Sequence, residues 1–243
     1  MGIDEAGRGP VLGPLVIGIC CVPDDAEPLL TSKGVKDSKD LSPKKRQEIE
    51  AWFHQQPTED GWFGTTFSID PETIDFALQN QGLNWLEVDG FRQAMMHLPH
   101  QEHLRIVADA CDVNAQRFTK RITEGVSGWP WKGSEMVSEH KADEHHPVVS
   151  MASILAKEER DRAMQAMSER VGIQLGSGYP ADPTTKASLE HLILQSGIDE
   201  QVRWGWATVK RFWKEHRTGD LPVRGVQRTI QQQLFHEDES RIS

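Results

Sequence analysis

The sequence predicts a mixed α/β sheet domain with a helical C-terminal annex. Three observations lead there. Strand-like and helix-like patterns alternate from Gly2 to Gly172, no further convincing strand follows Gly172, and from Thr218 the chain turns polar and rich in Gly, Pro and Gln. With 243 residues, 26% charged and 37% hydrophobic, there is enough apolar material for one large or two small domains. The expected division is residues 1–172 as a catalytic sheet domain, 173–217 as a helical region packed on it, and 218–243 as a tail with little fixed structure.

Each element has its own signal. Gly2-Ile3-Asp4 and the apolar stretch Leu15 to Val22 read as two strands flanking the turn Gly7-Arg8-Gly9-Pro10. Ser42-Pro43 supplies an N-cap and a first-turn proline for a helix over Lys44 to Phe53. Trp62 to Ile69 alternates as a third strand, Pro71 to Gln79 and Leu83 to Met96 read as helices, and Leu104 to Ala108 is a short buried strand ending at Asp109. A helix over Asn114 to Ile122, a strand over Glu135 to His140 and a long helix over Pro147 to Val171 follow. Small residues on one side of that last helix (Ser150, Ala152, Ser153, Ala156) allow close approach. After the loop Gly176-Ser177-Gly178-Tyr179-Pro180, helices are expected near Thr184 to Gln195 and Glu200 to Arg217.

Several function classes fall away early. The longest apolar run, Val11 to Val22, is broken by Gly13 and Pro14 and is too short to span a bilayer. The first residues lack the pattern of a signal peptide, so a cytoplasmic location is expected. Cys20, Cys21 and Cys111 form no disulfide framework or zinc spacing, and His97, His100 and His103 surround Pro99 as a hydrated helix end. A net charge of -10 argues against a polyanionic partner, yet the average hides two basic clusters. One holds Lys33, Lys36, Lys39, Lys44, Lys45 and Arg46. The other holds Arg203, Lys210, Arg211, Lys214 and Arg217, interleaved with Trp204, Trp206, Phe212 and Trp213. Each is either a solvated face or part of a grooved anion site.

Carboxylates at strand ends carry the chemistry. Burying an unpaired carboxylate costs several kcal/mol, yet Asp4 and Glu5 close the first strand, Asp109 closes a later one, and Asp143 follows another. In open α/β sheets ligands gather where strands end, so these groups are expected to meet. Together they could stay ionised only with cations, and hard oxygen donors select Mg²⁺ or Mn²⁺. Isolated surface carboxylates or helix caps are the competing explanation. The glycine loop is not a dinucleotide fingerprint, because Pro10 removes an amide and the third glycine comes one position late. Tyr179, the single tyrosine of the chain, sits in a loop, where a ring can stack on a base and a hydroxyl can sense a ribose 2′-OH.

In this order, Asp4-Glu5-Ala6-Gly7-Arg8-Gly9-Pro10, Asp37-Ser38-Lys39, Asp109 before Cys111-Asp112-Val113, His140-Lys141-Ala142-Asp143, Pro147 to Lys157 and Gly176 to Pro180 are specific. From Ile3 to about Lys214 the chain resembles the type 2 ribonuclease H family, and within it ribonuclease HII. Ala108 to Phe118 and the helix at Ser150 look more like archaeal and eukaryotic members. The resemblance implies an RNase H-like mixed five-stranded sheet flanked by helices. It also implies hydrolysis of RNA in RNA/DNA hybrids and at single ribonucleotides within duplex DNA, leaving 5′-phosphate and 3′-hydroxyl ends. Four metal ligands map onto Asp4, Glu5, Asp109 and Asp143, and two Mg²⁺ or Mn²⁺ ions about 4 Å apart are expected, with Asp4 shared. The 2′-OH sensors map onto the Gly7-Arg8-Gly9 backbone and Tyr179. Lys39 maps to a position near substrate phosphate, and Ser153 and Lys157 lie on the helix after the last ligand. Glu144-His145-His146 and Glu158 depart from the common pattern, and the two histidines read as solvated. A junction resolvase would lack use for 2′-OH sensors, and a catalytically silent hybrid-binding or replication-accessory protein would not need four ligands. In the tail, Gln231-Gln232-Gln233-Leu234-Phe235 resembles the Q-x-x-L-F peptides that dock into bacterial sliding clamps, with Leu234 and Phe235 as anchors; a eukaryotic-type motif begun at Gln227 fits worse.

Overall fold

An apolar run such as Leu15 to Cys21 is stable as a strand only when both its faces are covered. The computed structural model, which describes residues 1–99, 101–194, 197–222 and 224, covers both. It shows the expected mixed five-stranded sheet, in the order β3-β2-β1-β4-β5. Strand β1 (Gly2–Ala6) runs antiparallel to β2 (Leu15–Cys21) and parallel to β4 (Arg105–Asp109), which is parallel to β5 (Glu135–Glu139). Strand β3 (Phe63–Ile69) lies at the far edge. The chain forms two compact units. The first, holding the sheet, is Met1–Arg8, Leu15–Ser68 and Asn84–Ala163.

Alternation along β2 decides which layer each side chain enters. Cys20 packs with Leu30 of α1 (Glu27–Ser32), Ile49 and Phe53 of α2 (Pro43–Phe53), and Val148, Ala152 and Leu155 of α7 (Pro147–Val171). Ile17, Ile19 and Cys21 face the other way, toward Phe91 of α4 (Leu83–Met96) and Phe118 and Ile122 of α5 (Ala115–Glu124). Phe91 and Phe118 meet edge to face at 5.2 Å. The two adjacent cysteines thus sit in different cores, which is why no disulfide joins them.

The small-residue side of α7 lies directly on the sheet. A Cβ at Gly2 would stand 2.4 Å from the Val148 carbonyl oxygen, and one at Gly18 would stand 2.1 Å from that of Ala152. Backbone touches backbone there. This contact fixes α7 against the face of β1 from which Asp4 projects, because Gly2 and Asp4 are two residues apart and share a side.

The second unit comprises Gly9–Pro14, Ile69–Leu83 and the chain from Met164. It holds α3 (Pro71–Asn80), the end of α7, α8 (Pro183–Leu194) and α9 (Ala207–His216) around Leu12, Leu175, Leu189, Ile193, Val202 and Val209. The expected helix over Glu200 to Arg217 is confined to Ala207–His216. Other partners claim the backbone before it. Val202 forms a β-bridge with Leu12, and the Asp75 carboxylate accepts the N–H groups of Trp204 and Gly205 at 2.8 Å each. Helices α1 and α6 (Ala142–His145) and a short 3-10 turn at Ser38–Asp40 appear where no helix was expected. Gln231, Leu234 and Phe235 lie outside the described residues. Among the described residues no helix is long and apolar enough to cross a membrane.

Gly18→Ala should lower unfolding free energy by about 1–3 kcal/mol, because the added methyl meets backbone that cannot rotate away. A urea midpoint unchanged from wild type would contradict the close sheet–helix contact.

Candidate active site

Parallel pairing of β1 with β4 brings the acidic residues together. The register Gly2↔Val107, Ile3↔Ala108 carried one step further sets Asp4 beside Asp109. One carboxylate oxygen from each of Asp4, Glu5 and Asp109 lies within 4.8 Å of the others. Asp143 joins from α6, where Ala142 N–H donates to Asp109 Oδ1 at 2.8 Å. Lys141, in the left-handed region at φ 59°, makes the turn that starts this short helix. The Asp143 carbonyl accepts from Ser150 Oγ of α7.

The like charges leave their mark on protonation. Burial, followed by Glu5 and Asp109, pushes Asp4 well above the ordinary carboxylate range, with the Ser153 hydroxyl opposing. Burial likewise raises Glu5 against a hydrogen bond from Cys111, and raises Asp109 against the Ala142 amide. An all-carboxylate donor set suits a hard divalent cation, which would relieve this repulsion. Asp4, Glu5 and Asp109 are the groups best placed to hold one, with Asp143 beside them.

The remaining expected residues divide. Lys39 Nζ stands 3.6 Å from Asp143 Oδ2 and 4.0 Å from Asp37 Oδ1, with its side chain 79% exposed. Burial acts against its charge, but Asp143, Asp37 and Asp4 outweigh this and raise its pKa. Ser153 Oγ is 3.0 Å from Ser38 Oγ, tying α7 to the Asp37-Ser38-Lys39 segment. Lys157 is paired with Asp161 one turn along α7. Arg46, counted in the first basic cluster, is buried: it donates to Glu158 Oε1 at 2.6 Å, Asp161 Oδ2 at 2.8 Å and the Leu41 carbonyl at 3.0 Å. It is a structural cation, and Glu158 is its counter-charge. Arg203 of the second cluster is also buried, donating to the Gly13 carbonyl at 2.9 Å. Lys210, Arg211, Lys214 and Arg217 are exposed, while Trp204, Trp206, Phe212 and Trp213 pack on the core of their unit. Of the departing residues, Glu144 pairs with Lys141 at 2.6 Å, and His146 Nε2 lies 2.9 Å from Glu139 Oε2, so His146 is engaged rather than merely solvated.

In the second unit Tyr179 is 45% exposed, with its ring against Gly9. A Cβ on Gly9 would lie 3.3 Å from Tyr179 Cε1, a tight contact that would press the ring back by a few tenths of an ångström. The Gly178 amide donates to Thr185 Oγ1 at 2.9 Å, and the Gly178 carbonyl accepts from Val11 N–H at 2.8 Å. Both backbone groups of the residue before Tyr179 are thus engaged.

Two neighbours of Glu5 escaped the sequence reading. Cys111 Sγ donates to Glu5 Oε2 at 3.1 Å, and Glu87 of α4 is wholly buried with Arg8 Nε 3.1 Å away. Burial, then Glu5, pushes the Glu87 carboxyl up to about 8, with Arg8 opposing. A charged residue on the buried face of α4 was the available signal, since burial of an acid demands a local reason.

The family model described as Ribonuclease HII matches residues 1–209. The chain belongs to the ribonuclease HII family. Ribonuclease HII of Methanococcoides burtonii is 39% identical over 215 residues, spanning 87% of this chain and 98% of that protein. The solved ribonuclease H2 of Pyrococcus horikoshii OT3 superposes with a TM-score of 0.78 at 34% identity, covering 90% of this chain and 98% of that one. A solved PCNA:RNase HII complex from Archaeoglobus fulgidus gives a TM-score of 0.71 at 33% identity, over 86% and 94%. As a ribonuclease HII, the chain is a hydrolytic endoribonuclease acting on RNA/DNA hybrids.

Because Asp4, Glu5 and Asp109 have raised pKa values when folded, their contribution to stability is fully present below the unfolded carboxylate value of about 4 and is lost as pH rises through the folded values. Melting temperatures in chelator should therefore contain a component that falls with rising pH above about 4. Asp4→Asn should flatten it, and Mg²⁺ should offset it at the upper end. Identical profiles for wild type and Asp4→Asn would refute the crowded-carboxylate account.

Proposed function

We propose that this ribonuclease HII cleaves at single ribonucleotides embedded in duplex DNA as well as within RNA/DNA hybrids. In this reading Asp4, Glu5, Asp109 and Asp143 hold two divalent cations, Mg²⁺ or Mn²⁺. The observation that carries it is the convergence of three carboxylates within 4.8 Å at the ends of adjacent parallel strands, with Asp143 alongside. Held by these residues, such cations would supply activation of a water and stabilisation of the leaving 3′-oxygen of an in-line displacement.

The chain's own groups do the placing. The Ser153 hydroxyl, 3.0 Å from Ser38 Oγ, favours the charged form of Asp4. Ala142 N–H holds one oxygen of Asp109. Lys39, mostly exposed beside Asp143, offers its charge to the phosphate being cleaved, whereas Lys157 is engaged with Asp161 and acts further back. The Gly7-Arg8-Gly9 backbone can approach a ribose closely, and Tyr179, whose ring rests on Gly9, offers a stacking face and a hydroxyl for the 2′-OH. Products carry 5′-phosphate and 3′-hydroxyl ends.

Two substitutions test different parts. Asp109→Asn should abolish cleavage of both substrates in Mg²⁺ while preserving the fold; retention of most activity would sink the metal assignment. Tyr179→Phe should cost about 1–3 kcal/mol in kcat/KM at a lone ribonucleotide, and Tyr179→Ala more, because it also removes the stacking face. Wild-type rates from both would end the junction-reading role.

A sliding clamp is the proposed partner of the tail, through Gln231, Leu234 and Phe235. The complex of the Archaeoglobus relative with PCNA supports this choice. Leu234→Ala/Phe235→Ala should lose retention by the cognate clamp in a pull-down, with clamp-free cleavage unchanged. Equal retention of both proteins would count against the motif.

A further inference from the structure

We propose that Asn84 and Glu87, one turn apart on α4, are positioning residues that grip Arg8 and thereby set the Gly7-Arg8-Gly9 backbone for reading ribose. The inference rests on the reading of that loop as a 2′-OH sensor. Three groups from two elements hold the Arg8 guanidinium. Nη2 donates to Asn84 Oδ1 at 2.6 Å, Nη1 donates to the Cys111 carbonyl at 2.8 Å, and Nε faces Glu87 Oε1 at 3.1 Å. The last contact is an ion pair rather than an aligned hydrogen bond. Asn84 and Glu87 are at i and i+3, so one face of α4 presents both.

The placement has a physical consequence for the loop. Glu87 is wholly buried and close to Glu5, with Glu5, Glu87 and Cys111 offering ligand atoms within 4.8 Å of one another. Arg8 Nε, 3.1 Å from Glu87 Oε1, is the polar group that faces this buried acid. Arg8 follows Gly7, whose φ of 93° lies in the left-handed region, so this glycine is a pivot with few steric limits of its own. Holding the next side chain by three groups removes that freedom. Cys111 adds a tie: its carbonyl receives Arg8 while its Sγ donates to Glu5. The loop after β1 and the segment after β4 are thereby fixed to the same point on α4.

The test compares KM for an RNA/DNA hybrid with Ki for the all-DNA duplex of the same sequence, in Mg²⁺. The ratio Ki/KM measures preference for ribose. Glu87→Met and Asn84→Ala should each lower it roughly three- to tenfold, acting more on KM than on kcat. Glu87→Gln, which keeps an acceptor oxygen, should lose less than Glu87→Met. Arg8→Ala should match the larger loss, and Arg8→Ala/Glu87→Met should lose no more than Arg8→Ala alone. A lower melting temperature with an unchanged ratio in Glu87→Met and Asn84→Ala would overturn the proposal and leave both as packing residues. Additive losses in the double variant would overturn it too. If Glu87→Met fails to fold, Asn84→Ala decides by itself. An unchanged ratio in Arg8→Ala would instead refute the loop's role as sensor, and the inference with it.

Discussion

Burial of the neighbouring carboxylates Asp4, Glu5 and Asp109 is the constraint to which the surrounding structure answers. Parallel pairing of β1 with β4 sets these side chains together, burial raises their pKa values most, and neighbouring carboxylates add to the cost, Glu5 and Asp109 at Asp4 and Asp143 at Asp109. Such a cluster persists only where the backbone beneath it is over-determined. The sheet supplies that rigidity: β1 is its central strand, paired on both sides, with α7 in backbone contact at Gly2 and Gly18. Neither glycine bears a side chain that could hold the helix off.

The framework was legible because its signals are local. Buried strands announced themselves as apolar runs, Ser42 accepts Lys45 N–H as an N-cap should, and the long helix has the limits its pattern indicated. The late start of α9 at Ala207 was not legible. Asp75 lies far away in sequence, and nothing near Trp204 reveals that its amide is taken. Arg46 and Arg203 show the same blindness for charge: each stands in a basic run that reads as a solvated face, yet each is buried against partners more than a hundred residues distant. Pattern assigns a residue to a run. Only the fold assigns it a partner.

For the site, acids at strand ends marked Asp4, Glu5, Asp109 and Asp143 as candidates, the family resemblance mapped the ligand roles onto them, and the structure brings the first three within 4.8 Å of one another. The supporting groups were hidden. Asn84 and Glu87 lie on a helix whose sequence looks ordinary, Cys111 stood in a specific motif without a role of its own, and their contacts appear only when α4 and the segment after β4 are seen beside Glu5 and Arg8. Glu87 was the most readable of the three, since its apolar neighbours Leu86 and Val88 are both fully packed, leaving an acid inside a buried stretch.

Adjacent residues of a strand point to opposite faces, and this shapes how Asp4 and Glu5 are managed. Asp4 turns toward α7, where the Ser153 hydroxyl favours its charged form and Lys39 lies within electrostatic reach. Glu5 turns toward α4, where Arg8 and the Cys111 thiol oppose its raised pKa. One carboxylate pair therefore draws stabilising partners from both layers, and the two flanking cations are held differently. Lys39 is largely exposed at the end of a flexible stem, suited to following a phosphate. Arg8 presents a planar fork to fixed acceptors, suited to holding backbone still. Substituting one for the other would keep the charge and change the contacts, because a mobile ammonium cannot satisfy three directions at once and a clamped guanidinium lacks the freedom of a lysine stem.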